Sequence, residues 1–194
     1  MKGGRKPEVL GETILSAGRF IVMKRLAWSD ADGIRRQWET ADRAGDHGAV
    51  LIIPWLRPSN RLLLIRQFRP PARRQVIEFP AGMLEEGESP LEAAVRELRE
   101  ETGFAAGQTR LHPAAYSSPG LSAESVFTVE AEIDENALEN ANPQTEFDST
   151  EAIEVILVPG SGLADFFRLE AGVGTPFDAK LAAYLIGLEA HSRG

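Results

Sequence analysis

Between Gly82 and Phe104 the chain reads GMLEEGESPLEAAVRELREETGF, and no other stretch constrains the fold as strongly. Ser89-Pro90-Leu91-Glu92 has the order of a capping box: serine at the N-cap, proline at the first helical position, glutamate at the third. Leu91, Ala94, Val95 and Leu98 follow at i, i+3, i+4 and i+7, a spacing that predicts one apolar stripe facing a core. Gly103 supplies the stop, because glycine accepts the left-handed conformation that ends many helices. Glu97, Glu100 and Glu101 recur at i, i+3 and i+4, so the helical period sets three carboxylates on one side. Like charges at these spacings repel by about 0.2–0.5 kcal/mol per pair. A helix selected for stability alone would alternate the signs. Hard divalent cations want several converging carboxylate oxygens, which this array offers. The triplet alone also fits a solvated acidic face partly neutralised by Arg96 and Arg99.

Around this helix the pattern is mostly strand-like. Arg19–Trp28, the turn signal Ser29–Gly33 and Ile34–Ala41 predict a hairpin. Ala49–Leu56, a turn over Arg57–Asn60, and Leu62–Phe68 predict two well-buried strands. Shorter strands are predicted at 76–79, 114–117, 125–133 and 152–158. The end reads helical, with Phe177, Leu181, Tyr184, Leu185 and Leu188 on one stripe. Strands surrounding a central and a terminal helix imply an α+β fold, a mixed sheet packed between helices. The polar stretch 42–48 divides an N-terminal strand arm, 1–47, from a main domain, 48–194.

Composition narrows the function classes. With 194 residues, one domain and an appendage is the prior. There is no cysteine, which excludes a disulfide scaffold, thiolate zinc and cysteine nucleophiles, and fits a reducing compartment such as the cytoplasm. A net charge of −8 argues against general affinity for nucleic acid or anionic membranes. Apolar runs such as Ala49–Ile53 are too short to span a bilayer, and MKGGRKPEVL lacks the apolar stretch of a signal peptide. His47, His112 and His191 show no ligand spacing.

Gly82, five residues, Glu88, seven residues, Arg96-Glu97-Leu98, Arg99, Glu100-Glu101, Thr102 and Gly103-Phe104 reproduce the Nudix box without a departure. Chance would produce that pattern with a probability on the order of one in ten million. The chain therefore resembles a Nudix hydrolase. Arg66–Pro71, Glu78–Gly82 and Ser118–Ser122 are similar to the ADP-ribose and ADP-sugar pyrophosphatase branch. The resemblance implies a Nudix α/β/α sandwich that hydrolyses the diphosphate of ADP-ribose or a similar ADP-sugar. It implies magnesium, or manganese, held by Glu97, Glu101, Glu100 and the carbonyl of Ala81. It also implies that Gly82, Glu88, Arg96 and Gly103 shape the box, with Arg96 forking onto Glu88.

Five arginines, at 61, 66, 69, 73 and 74, offer cations for a diphosphate. Arg69, with Glu78, matches the branch motif, and guanidinium binds phosphate oxygens bidentately. Arg43 is a further candidate. In this branch aromatics of the N-terminal region stack on adenine in a dimer that exchanges its arms; Phe20 and Trp38 stand at compatible positions. Trp28 and Trp55 read as core or interface residues. The general base in this branch comes from a late loop, where Glu151 fits, with Asp148 and Glu146 as alternatives. Hydrolysis of another nucleotide sugar, such as GDP-mannose, would use the same residues. A non-catalytic nucleotide-binding module would ordinarily have lost box carboxylates, and all are present.

Overall fold

Apolar residues run almost unbroken through 50–56 and 62–65, and a strand with that pattern has to be covered on both faces. The computed structural model, which describes residues 5–45, 48–145 and 152–192, provides both covers. In chain order the elements are β1 (Glu8–Ala17), β2 (Ile21–Ser29), β3 (Arg35–Arg43), β4 (Ala49–Arg57), β5 (Arg61–Arg69), β6 (Arg74–Glu78), β7 (Ala81–Met83), α1 (Pro90–Thr102), β8 (Thr109–Leu111), β9 (Ala115–Tyr116), β10 (Ser125–Asp134), β11 (Ile153–Pro159), α2 (Leu163–Gly172) and α3 (Ala179–Ser192). A mixed sheet runs β11-β5-β4-β10-β8, with β6 on β5, β7 on β4 and β9 on β10.

Alternation along the central strands sorts the two faces. Val50, Ile52, Leu56, Leu63 and Ile65 share one core cluster with Ala93, Ala94 and Leu98 of α1 and with Val129, Ala131 and Ile133 of β10. Their neighbours Leu51, Ile53, Leu62 and Leu64 are equally buried outside that cluster, so they face the other way. On that side Tyr184 of α3 meets Phe79 edge-on and accepts a hydrogen bond from the Trp55 indole at 3.2 Å, while Leu181 and Leu185 are buried. Trp55 is thus a packing residue. No helix among the described residues is long and apolar enough to cross a membrane.

The chain divides into two compact units, 1–49 with 114–126, and 50–113 with 127–194. Residues 114–126 thus group with the N-terminal sheet. Residues 120–124 are held to β3 by hydrogen bonds with Trp38, Thr40 and Asp42.

Three expectations are amended. The predicted hairpin is present as β2 and β3, paired antiparallel from Ile21 with Arg43 to Ser29 with Arg35, but β1 adds a third strand to it that the sequence pattern did not suggest. The register of β1 on β2 shifts twice, between Val9 and Gly11 and between Ile14 and Ser16. Each shift breaks the two-residue alternation that identifies a strand. In α1 the capping box and the left-handed Gly103 stop are present, but Leu91 and Val95 are 38% and 42% exposed. The buried side consists of Ala93, Ala94, Leu98, Glu101 and Thr102, rotated toward the carboxylates. The terminal stripe also begins later than expected. Phe177 lies before α3, in a parallel bridge to Ile77 and against the rings of Phe166 and Phe167 of α2, an element the sequence pattern did not suggest.

Candidate active site

The loop before α1 and its first turns converge on Arg96. Its Nε donates to Oε1 of Glu88 and its Nη2 to Oε2, both at 2.9 Å, the two-pronged geometry that holds a guanidinium and a carboxylate in one plane. Nη2 also reaches the Met83 carbonyl at 3.0 Å, which pins the start of the loop. Nη1 donates to Oε1 of Glu97 at 2.9 Å and Oε2 of Glu100 at 3.1 Å. These hydrogen bonds hold the Glu88 carboxyl below the usual carboxylate range and raise the already high affinity of Arg96 for its proton.

Gly82 lies directly opposite. A Cβ there would stand 1.9 Å from the Glu97 carboxyl, so only glycine lets that carboxylate reach the backbone of β7. Glu101 is buried at 7% exposure and its Oε2 accepts the Ala81 amide at 3.1 Å. The preceding carbonyl, of Pro80, accepts from the Ile52 amide of β4 at 2.9 Å. The strand that carries the Ala81 carbonyl is therefore tied to both sheet and helix. Gly103 closes the helix at φ +76°, and a side chain there would also strike the backbone of Gln144 at 2.4 Å.

Among the described residues no three carboxylate or imidazole side chains converge as a ready metal cluster. Arg96 draws Glu97 and Glu100, and Glu101 is engaged by Ala81. The donor set nevertheless fits a hard divalent ion: Glu97, Glu100, Glu101 and the Ala81 carbonyl offer only oxygen, and a carboxylate has about four lone-pair sites, so one guanidinium contact does not exhaust it. The space Gly82 leaves for Glu97 favours the same fit.

Of the arginines, Arg69 holds Glu78 in a bidentate pair, Nε and Nη2 each at 2.8 Å from one oxygen. Burial works against the charge of Arg69, but the Glu78 bonds outweigh it, and Glu101 and Asp178 add in the same sense. Arg61 is paired with Glu135, and Arg66 with Glu154 and Glu170. In the first unit Phe20 is 67% exposed beneath the guanidinium of Arg19, and Trp38 is 49% exposed. Arg43 pairs with Glu124 and lines a cavity of about 500 Å³ with Glu12, Lys24 and Asp42. Glu146, Asp148 and Glu151 lie outside the described residues.

Sequence reasoning missed Thr40, Asp42 and Glu124. Their only signal was the branch motif at 118–122, to which it attached no role. The Met83 carbonyl, a backbone atom, had none.

The NUDIX domain family model matches residues 45–163. An uncharacterised Nudix hydrolase of Schizosaccharomyces pombe is 35% identical over 98% of this chain and 97% of its own length. The ADP-sugar pyrophosphatase of Mus musculus is 34% identical, over 93% and 87%. A crystal structure of an ADP compounds hydrolase superposes with a TM-score of 0.71 at 25% identity, covering 87% of this chain and 86% of its own.

Proposed function

The chain belongs to the Nudix family, and from that membership we propose that it hydrolyses the diphosphate bridge of ADP-ribose or a closely similar ADP-sugar, giving AMP and a sugar phosphate. One observation carries the reading: a single guanidinium, Arg96, gathers Glu88, Glu97 and Glu100 beside the backbone that Gly82 leaves open. In the reaction a water oxygen bonds to one phosphorus, the bond to the bridging oxygen breaks, and the water's proton passes to a base.

Glu97, Glu100, Glu101 and the Ala81 carbonyl would hold magnesium or manganese. Bound there, the ion would polarise phosphoryl oxygens and lower the pKa of a water. The remaining work falls to the chain. Arg96 fixes the directions of two carboxylates, and Glu101 fixes the strand that carries Ala81. Arg69, held by Glu78, keeps donors for the diphosphate, since a guanidinium has five N–H groups and the ion pair uses two. Phe20 and Trp38 would stack on adenine, and Glu151, or else Asp148 or Glu146, would accept the proton. The exposed apolar side chains of β1 and β2 support a homodimer.

The test is incubation with magnesium and a panel of nucleoside diphosphate sugars, with products identified by mass. AMP and ribose 5-phosphate from ADP-ribose are expected, and Glu101→Gln should abolish turnover while the protein stays folded. Release of a different nucleotide, or undiminished turnover by the variant, would contradict the assignment.

A further inference from the structure

Trp38, Thr40 and Asp42 lie on one face of β3, the side chains of a strand alternating with a period of two. Each reaches the same downstream segment. The Trp38 indole N–H donates to the Gly120 carbonyl at 3.1 Å. Thr40, only 8% exposed, has its hydroxyl 2.8 Å from the Leu121 carbonyl and 3.1 Å from Oδ1 of Asp42, and shares its one proton between these two acceptors. Asp42 accepts the Ala123 amide at 3.1 Å, and this bond is the first cause holding its carboxyl below the usual range. The Ala41 amide, on the open edge of β3, is capped by Leu121 as well, at 3.0 Å. Arg43 pairs with Glu124.

We propose that residues 120–124 are a brace that positions the Trp38 ring, with Thr40 and Asp42 as its positioning residues. The inference rests on the reading of Trp38 as a stacking residue and deepens it. A half-exposed tryptophan would ordinarily leave its N–H to water and turn about its side-chain bonds. Here Gly120 takes the N–H, which fixes the ring and leaves its face as the part offered to a base. Trp38 then reads the π-surface and not the hydrogen-bonding edge, so it binds purines without telling them apart. The class of ligand it serves is purine nucleoside diphosphate sugars in general, and discrimination among purines falls to other residues.

The experiment compares Thr40→Val/Asp42→Ala, which cuts both side-chain ties, with Thr40→Ser/Asp42→Asn, which keeps a hydroxyl and an acceptor oxygen. Trp38→Ala and Trp38→Phe are the controls. Loss of one or two net hydrogen bonds should raise KM for ADP-ribose about three- to tenfold in the first double variant, with kcat within about twofold. The second double variant should restore KM. Trp38→Phe should raise KM equally for ADP-ribose and GDP-ribose. An independent readout is hydrogen exchange at the Trp38 indole N–H by NMR, slow in the unaltered protein and fast once the ties are cut. If Trp38→Ala leaves KM unchanged, the stacking reading fails and the proposal fails with it. If Trp38→Ala raises KM but cutting the ties does not, or if both double variants behave alike, the brace alone is overturned. Should the first double variant fail to fold, Thr40→Val and the indole exchange of the unaltered protein decide: a rapidly exchanging indole refutes the brace.

Discussion

A methyl group at position 82 would fall where the Glu97 carboxyl now lies, 1.9 Å from its carbon. The carboxylate is the far end of a flexible side chain, so Gly82→Ala should push Glu97 aside and cost less than about 1 kcal/mol of stability. Catalysis tolerates such displacement poorly, since a shift near 1 Å at a reacting centre costs about a hundredfold. The variant should unfold near the normal temperature and turn over at least about a hundredfold more slowly. A normal kcat would show that Glu97 is not needed where it lies. The identity of Gly82 was legible in the sequence because the box demands it, but its reason was not. Which side chain fills the space depends on β7 meeting α1, a contact between segments with no common local pattern. The ties of Trp38, Thr40 and Asp42 to residues some eighty positions later were invisible for the same reason.

At the scale of elements, α1 was legible at its ends and misread around its circumference. Caps are local chemistry, and Ser89 and Gly103 behave as their residue types dictate. The buried face is set by what packs against it: Ala93, Ala94 and Leu98 share the core cluster with β4, β5 and β10, and Glu101 accepts the Ala81 amide of β7. Two substitutions expose the difference. Leu98→Ala should destabilise the protein by about 2–5 kcal/mol, as a fully buried leucine does, whereas Val95→Lys should change stability by no more than about 0.5 kcal/mol. Denaturant titration separates the two. A large loss in Val95→Lys would restore the stripe inferred from periodicity.

The tie between β3 and the 120–124 segment carries its own pH dependence. Asp42 has a lowered pKa, first through the Ala123 amide and then through Thr40 and Lys24, with burial opposing. Its charged form is favoured on folding, so the stabilisation is present above the ordinary carboxylate pKa and is lost as pH falls through the lower folded value. Protection of the Ala123 amide, corrected for intrinsic exchange, should therefore drop as pH falls below the ordinary carboxylate range. In Asp42→Asn it should vary little with pH. Equal pH dependence in both proteins would remove Asp42 as the cause.

For the molecule as a whole, the fold class followed from strand runs around two helices, while the division into units did not, because residues 114–126 join the N-terminal sheet across a long gap in sequence. The first unit presents Val9, Ile14, Ile21 and Met23, from both faces of that sheet, and Phe20 and Ile34 from its turns to solvent, each 41% exposed or more. A monomer seldom leaves so much apolar surface uncovered. A second copy is the cover we propose, and burying a valine or isoleucine contributes about 1.5–3 kcal/mol per side chain. Val9→Glu/Ile14→Glu sets charges on strand residues already 64% and 61% exposed, so each protomer should still fold. At micromolar concentration, sedimentation should find the unaltered protein at twice the chain mass and the double variant at one. Deleting 1–47 is the harsher experiment, since it strips Gly120, Leu121 and Ala123 of their β3 partners and should yield insoluble protein instead of a tidy monomer. An unaltered protein that sediments at one chain mass would mean that these apolar side chains serve something other than a second copy.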